Sequence, residues 1–217
     1  QPRDAVEHDF FLFIVIHQVY ELLFKVVPHE IDYARQLLTS GDAPRAQHTL
    51  KRVLTILKVL VSQLDILETM TPTEFLTFRE RLDKASGFQS DQFRQLEFVL
   101  GHKVRASVER FPEGSRARSA LERRWSEPTI WDALVRYLAD QEYDVPGGVL
   151  ERDPTEEIRP TPELQDVLIE LYRTDPWNAE LCERFVDLDE GIQEWRYRHV
   201  KMVERTIGRK KGTGGSA

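Results

Sequence analysis

The feature that most constrains this chain is the spacing of apolar residues near its C-terminal end. From Asn178 onward they recur every three or four positions, which is the repeat of one face of an α-helix. His199 lies in the middle of this stripe, while charged residues such as Arg196 and Lys201 occupy the other faces. The pattern predicts one long helix, ended by Gly208, that directs a histidine toward whatever its apolar face packs on. The stripe consists of Phe185, Leu188, Ile192, Trp195, His199 and Met202.

His199 has two interpretations on spacing alone. A neutral imidazole is a common metal ligand, so the residue is a candidate ligand of a metal or cofactor. A buried polar group is otherwise hydrogen-bonded, so His199 is equally a core histidine satisfied by a buried carbonyl. The spacing leaves both interpretations open.

The N-terminal part of the chain repeats the pattern and again carries one histidine. We predict a helix from Asp9 to about Leu38, bent or broken at Pro28, which lacks a backbone donor. Its other faces are also largely apolar, which is typical of a helix buried in a bundle or against a partner subunit. Its stripe consists of Phe10, Phe13, His17, Tyr20, Phe24 and Val27.

Capping signals place several helices between these two. Thr71 followed by Pro72 and Glu74 is a capping box, which predicts a short helix up to about Leu82. Ser90 is expected to cap the helix Asp91–Leu100, and Thr161 the helix Pro162–Arg173. The other predicted helices are Arg45–Leu67, Ala117–Arg124 and Ile130–Tyr143.

The fold class follows from what these patterns share. No useful stretch alternates as a strand does, and no repeat of 20 to 50 residues is present, so we predict an all-α fold. The expected architecture is a helical bundle built on the long N- and C-terminal helices. We expect a single domain over residues 1–217, with 101–162 as a possible exposed connection or insertion, because prolines and glycines are frequent there.

Phe75 and Arg79 are four residues apart on the short third helix and therefore share a face. A guanidinium fork beside an aromatic ring suits a ligand with a carboxylate on an apolar body. The alternative is a surface arginine lying over a phenylalanine.

Composition excludes several classes of protein. With 217 residues, 41% apolar residues, 31% charged residues and a net charge of −7, the chain is globular and lacks the basic face of a nucleic-acid binder. The single Cys182 excludes an intramolecular disulfide and fits a reducing compartment. The longest apolar run, Phe10–Ile16, is too short to span a membrane, and no leader precedes it. We therefore expect a cytoplasmic protein without a nucleic-acid or membrane partner.

Four runs of sequence carry a resemblance to a known family. The runs FLFIVIHQVYELLFK, LETMTPTEFLTFR, ASGFQSDQFRQLE and WRYRHVKMVERTIG followed by KGTGGS resemble tryptophan 2,3-dioxygenase, in the same order along the chain. The resemblance implies a haem enzyme that assembles as a homotetramer. It also implies that the substrates are L-tryptophan and dioxygen, and that cleavage of the indole C2–C3 bond gives N-formyl-L-kynurenine.

The resemblance also implies which residues hold the haem. His199 would be the proximal ligand of the iron, and Ser86 and Gly87 would line the haem pocket. The chain has no CxxCH motif, so the cofactor should be a non-covalent haem b, one per subunit, with ferrous iron in the active state.

The substrate residues implied by the resemblance lie on the other side of the haem. His17 would accept a hydrogen bond from the indole nitrogen, and Phe13 and Phe75 would lie against the indole ring. Arg79 would bind the carboxylate of the amino acid. Thr213 would lie in a glycine-rich loop that closes over it.

Two other functions remain open at this point. A related haem enzyme of natural-product biosynthesis would insert one oxygen atom into a substituted tryptophan. A non-enzymatic haem-binding or interaction bundle would keep the fold and leave Arg79 and Thr213 without a role.

Overall fold

The computed structural model of the chain describes residues 5–82 and 89–208. Within these ranges the regular structure is helical and no strand is present, so the all-α prediction is confirmed. The α-helices are α1 (Ala5–Thr39), α2 (Ala43–Leu67), α3 (Pro72–Phe78), α4 (Asp91–Val99), α5 (Arg105–Glu109), α6 (Arg116–Ser126), α7 (Ile130–Asp140), α8 (Gly147–Leu150), α9 (Pro162–Thr174) and α10 (Pro176–Ile207), and a 3₁₀-helix (Arg79–Leu82) follows α3.

The long helices α1, α2 and α10 form the frame of the bundle. α2 packs closely against both α1 and α10. Its core-facing leucines Leu50, Leu57 and Leu64 are almost completely buried, and burial of such side chains is the main source of stability in a bundle. Gly191 lets α10 approach α2, because a Cβ atom there would lie 3.0 Å from the Leu57 Cδ1 atom.

The shorter helices complete the core around α1 and α10. α4 and α7 pack against α1, α6 packs against α4, and α9 packs against α10. α3 contacts both α1 and α10. Both ends of the chain therefore meet at α3, although they are far apart in sequence.

Most of the predicted caps are present. The Thr71–Glu74 capping box begins α3, the Ser90 hydroxyl accepts from the Phe93 amide at the start of α4, and Gly208 ends α10 with φ +60°. Thr161 occupies the N-cap position of α9 as expected, but the expected side-chain cap is wrong, because its side chain makes no capping hydrogen bond. At the start of α10, Asp175, which the sequence did not single out, accepts from two backbone amides.

The expected break at Pro28 is also wrong. α1 continues through this proline. Pro28 is buried, and its neighbours Val27 and Ile31 are completely buried in the core. Packing on both sides of the proline therefore offsets the one backbone hydrogen bond that it removes.

The sequence suggested a possible exposed connection or insertion over residues 101–162. One helix of this stretch, α7, contributes to the core. Leu134 and Leu138 of α7 are almost completely buried in the main core. Ile158, in the extended segment before α9, packs against Gly101, whose φ of +101° and missing Cβ leave room for it. Periodicity did not reveal this because α7 is only 11 residues long.

A dense set of charged groups joins α1 to α6 and α7. We call it the α1–α6–α7 junction and define it as Asp32, Arg35, Lys103, Arg124 and Glu127. Arg124 donates to Asp32 (Nη1 to Oδ1, 2.6 Å) and to Glu127 (3.0 Å). Lys103 donates to the backbone carbonyls of Trp125 (2.8 Å) and Glu127 (2.6 Å). Arg35 binds the Pro128 carbonyl, so the chain between α6 and α7 is held by side chains.

α1 is the described helix that is long and apolar enough, by length and composition, to cross a membrane. Its C-terminal half is buried in the bundle through Val27, Ile31, Ala34 and Leu38. Its outward face mixes the exposed polar residues Gln18, Lys25 and His29 with large exposed apolar side chains. These apolar side chains are Phe11, Ile14, Leu22, Val26 and Tyr33.

Candidate active site

Aromatic residues gather where the N-terminal part of α1 meets α3 and the C-terminal end of α10. Phe75 and Phe78 of α3 are buried there, with Phe10 and Phe13 of α1 and Ile207 of α10 packed against them. Their elements come from three distant parts of the sequence. This end of the bundle contains His17, Phe13 and Phe75, which the sequence resemblance had placed in one site.

His17 is fixed by its own helix. Its Nδ1 atom lies 2.7 Å from the Phe13 backbone carbonyl, and a carbonyl only accepts, so Nδ1 carries the proton. In the neutral ring the Nε2 atom is then the hydrogen-bond acceptor. The imidazole ring packs on the Phe13 ring with centroids 4.0 Å apart. Part of His17 remains exposed.

The phenylalanines form an apolar wall beside His17. The Phe13 ring lies 5.8 Å from Phe75 and 5.5 Å from Phe78, and Phe75 meets Phe78 edge-on at 5.3 Å. These separations are typical of packed aromatic pairs. Phe78 is completely buried and fixes the other two rings.

His199 lies on the same face of α10 as Trp195, one turn later. The two rings are stacked, with centroids 5.3 Å apart and an interplanar angle of 15°. His199 is half-buried, and its imidazole makes no hydrogen bond within residues 5–82 and 89–208. The core interpretation, in which a buried carbonyl satisfies the ring, therefore finds no support in the described part of the chain.

Trp195 is enclosed by aromatic rings from two other helices. Tyr20 and Phe24 of α1 meet it at 6.2 Å and 5.4 Å, and Phe93 of α4 meets it at 5.0 Å. The Tyr20 hydroxyl donates to the Leu60 carbonyl of α2 at 2.9 Å. The ring on which His199 stacks is thus positioned by α1, α2 and α4 together.

Ion pairs hold α10 on both sides of this position. Arg196 donates to Glu97 of α4 at 2.5 Å, and Arg198 donates to Asp65 of α2 at 2.6 Å. Since these two arginines lie between Trp195 and His199 in the sequence and bind two different helices, they limit rotation of α10 about its axis. The basic residues beside the histidine therefore have structural partners.

Both histidines are neutral at neutral pH. Burial lowers the pKa of His17, and the Phe13 carbonyl and the Glu21 charge offset part of this effect. Burial also lowers the pKa of His199, and the nearby His17 lowers it further. His17 meets Tyr20 at 6.5 Å, Tyr20 meets Trp195 at 6.2 Å, and Trp195 stacks on His199, so one set of ring contacts joins the two imidazoles between α1 and α10.

Arg79 begins the 3₁₀-helix directly after α3. Its backbone amide donates to the Phe75 carbonyl, so the two residues follow each other on one turn, as their spacing predicted. Its side chain is partly buried. The 3₁₀-helix that directly follows the aromatic wall of α3 therefore begins with a cation.

The chemistry of these groups fits a haem better than a bare metal ion. In the described part of the chain, no three His, Cys, Asp or Glu side chains are grouped to hold a metal ion. A haem brings four of its own ligands and needs only one imidazole from the protein, and His199 has such an imidazole. Cys182, whose thiolate is another type of axial haem ligand, is buried in the core about 25 Å away along α10, at about 1.5 Å per residue.

Three of the predicted site residues cannot be compared with the structure. Ser86 and Gly87 lie between α3 and α4, and Thr213 follows α10, all outside the described residues. The sequence also missed two residues of this region. Phe78 was assigned no role and is the buried centre of the aromatic wall, and Trp195 was assigned only to the core, although it stacks on His199.

Comparison with known proteins identifies the family of this chain. The family described as tryptophan 2,3-dioxygenase matches residues 2–113 and 164–217. A tryptophan 2,3-dioxygenase of Herpetosiphon aurantiacus is 53% identical over all of this chain and 83% of its own length. One from Anaeromyxobacter sp. (strain K) is 54% identical over all of this chain and 81% of its own. A more distant relative, from Pseudomonas fluorescens, is 37% identical over 99% of this chain and 76% of its own. The chain belongs to the tryptophan 2,3-dioxygenase family.

Proposed function

We propose that this chain is a haem-dependent dioxygenase that cleaves the indole C2–C3 bond of L-tryptophan to give N-formyl-L-kynurenine. Membership of the family supports an oxidoreductase that acts on tryptophan. The observation that carries the proposal for this chain is the pair of neutral imidazoles, His17 and His199, which a continuous set of aromatic contacts through Tyr20 and Trp195 joins.

His199 is the proposed axial ligand of the haem iron. Its ring is neutral, stacked on Trp195 and without a hydrogen-bond partner among the described residues, so a lone pair is available to the iron. A ferrous haem supplies the site at which dioxygen is bound and activated. Ser86 and Gly87 are the further residues that we propose to line the haem pocket, on the strength of the ASGFQS run.

His17, Phe13 and Phe75 are proposed to hold the indole. The Nδ1–H of His17 is bound to the Phe13 carbonyl, so Nε2 accepts the hydrogen bond from the indole N–H. The rings of Phe13 and Phe75, 5.8 Å apart, offer an apolar surface to the bicyclic ring. Orientation of this kind is the protein's main contribution when a cofactor does the chemistry.

The amino-acid end of the substrate is assigned to Arg79 and Thr213. A carboxylate that enters an aromatic pocket needs a counter-charge, and Arg79 lies one turn beyond Phe75. Thr213 lies in the sequence KGTGGS, where three glycines give the backbone the freedom to close over a ligand.

We propose a cytoplasmic homotetramer. The exposed apolar face of α1 is the surface that supports assembly, because five large apolar side chains of one helix are open to solvent there, each 37% to 64% exposed. Several large apolar side chains exposed on one side of a helix are typical of subunit interfaces. Light scattering coupled to size exclusion, with Leu22→Asp as a face-disrupting variant, measures the assembly.

The proposed function is tested by absorbance spectroscopy and product analysis. The reduced, haem-loaded protein should change its spectrum when L-tryptophan is added, and with labelled dioxygen both oxygen atoms should appear in N-formyl-L-kynurenine. Incorporation of one labelled atom would instead show the single-oxygen reaction. A haem-loaded protein that turns over no indole amino acid would refute the enzyme assignment.

A further inference from the structure

A second pocket lies away from the two histidines, among α4, α7, α9 and α10. Its volume is about 680 Å³, which is within the range of about 300 to 1,000 Å³ that small-molecule sites occupy. Leu96, Leu134 and Leu188, all buried, form its floor. The pocket is therefore a feature of the core between four helices.

The walls of this pocket are apolar and aromatic. Trp131 of α7, Tyr172 of α9 and Phe185 of α10 line it. Ile158 closes one side, and it is held in place because it packs on the Cα of Gly101. An apolar molecule with a flat ring suits such walls, since aromatic pairs gain from stacking and edge contacts.

One end of the pocket carries a paired carboxylate. Glu97, 6% exposed, pairs with Arg94 and with Arg196, each at 2.5 Å. Two guanidinium groups thus share one carboxylate, so the charge of Glu97 is balanced within the protein.

Arg196 is the group that an anion in the pocket would meet. Its side chain is 40% exposed, lines the pocket, and binds Glu97 through one nitrogen, Nη2. A guanidinium has five N–H donors in a planar fork, so donors remain for a carboxylate. Asp189 also lines the pocket, but it is exposed at the rim and accepts from Gln193 at 2.5 Å.

We propose that this pocket binds a small aromatic monocarboxylate, with its ring among Trp131, Tyr172 and Phe185 and its carboxylate on Arg196. The site is separate from the candidate active site, because the Phe93 and Trp195 rings, 5.0 Å apart, fill the space between Arg196 and His199. The proposal does not depend on the reaction proposed above.

Calorimetric titration of the haem-loaded protein with 1-naphthoate tests the site, with 1-naphthamide as a neutral probe of the same shape. The Arg79→Ala variant serves as the background, since it removes the carboxylate partner proposed for the active site. We expect one naphthoate site in this background. Naphthamide should bind about tenfold or more weakly, because it loses the charge-assisted hydrogen bonds.

Two further substitutions locate the site. Val186→Trp fills the pocket from its exposed rim, and Arg196→Gln removes the charge; each should weaken naphthoate binding about tenfold or more. Ile169→Trp is the matched control, because Ile169 is an equally exposed α9 residue (50% against 47%) outside the pocket. Arg196→Lys guards against unfolding, since it keeps a cation beside Glu97; it should bind naphthoate more weakly than the parent.

The proposal is overturned by any of three results. Naphthoate does not bind in the Arg79→Ala background, or naphthamide binds equally well, or Val186→Trp and Ile169→Trp behave alike. Tryptophan turnover should be unchanged in Val186→Trp. If naphthoate does not bind this pocket, the proposed function is unaffected. If tryptophan is not turned over, the proposed ligand pocket is unaffected.

Discussion

The two polar regions of this molecule are built in opposite ways. In the α1–α6–α7 junction the charged side chains are paired with each other or with backbone carbonyls, as Arg124 is with Asp32 and Lys103 with Trp125. In the candidate active site the rings of Tyr20 and Trp195 connect the two histidines. His199 has no hydrogen-bond partner among the described residues.

The difference shows how a structural polar cluster is distinguished from a functional one. Buried polar groups that only support the fold are satisfied by the protein. A polar group that the protein leaves unsatisfied, yet holds rigidly, is available to a ligand. Substitutions in the junction should therefore cost stability and spare ligand binding, whereas substitutions in the site should do the reverse.

The largest effect is expected for His199→Ala. The variant should lose haem, because the single proposed protein ligand to the iron is gone, while far-ultraviolet circular dichroism stays the same. Haem content is measured by absorbance against protein concentration. Full occupancy with an unchanged Soret band would show that another residue ligates the iron.

Arg79→Ala should weaken L-tryptophan binding by about 3 to 5 kcal/mol, since removal of one partner leaves a desolvated charge unpaired. Haem binding should stay normal. Spectral titrations with L-tryptophan and with tryptamine, which lacks the carboxylate, separate the two contributions. Equal losses for both ligands would mean that Arg79 is structural and that another group holds the carboxylate.

Asp32→Ala tests the other side of the comparison. It removes a carboxylate from Arg124, whose side chain is 11% exposed, and should lower the free energy of unfolding by about 2 to 3 kcal/mol. Asp140→Ala, at an exposed position of α7, is the control and should change it by less than about 0.5 kcal/mol. Urea denaturation measures both. Loss of haem affinity in Asp32→Ala at full folding would contradict the division into two regions.

His17→Ala should slow turnover on the order of tenfold to a hundredfold, because loss of one hydrogen bond costs about 1 to 3 kcal/mol. Haem occupancy should be retained. Steady-state kinetics together with tryptophan titration measure the effect. Complete inactivity with intact tryptophan binding would show that His17 transfers a proton, beyond orienting the ring.

Lys103→Met should act on the pH dependence of stability and leave turnover unchanged. Burial lowers the pKa of Lys103 to about 8, below the value of about 10.4 in an unfolded chain. Between these values the unfolded state binds more protons, so the free energy of unfolding contributed by this group rises with pH. Parallel urea titrations at pH 8 and pH 10 compare the two proteins. The methionine variant should lack this part of the rise, and identical pH profiles would contradict the assignment.

Sequence predicted the helices that carry the two histidines, but it did not predict the junction. Helical spacing placed His17 and His199 on apolar stripes because both lie on helices of more than 30 residues, where periodicity is unambiguous. The pair of Asp32 and Arg124 is separated by 92 positions, and no local pattern predicts such a partner. Pro28 was misjudged for a similar reason, since its burial depends on packing from helices distant in sequence.

α1 carries both the inward histidine stripe and the outward apolar face. Successive residues of a helix are rotated by about 100°. An insertion or deletion of one residue before Phe10 therefore leaves both faces in register. A one-residue change between Tyr20 and Phe24 instead rotates His17 relative to the buried C-terminal half of α1. The two surfaces therefore depend on the same spacing. A one-residue change in length between Phe13 and Ile31 should disturb the histidine stripe and the exposed apolar side chains at once.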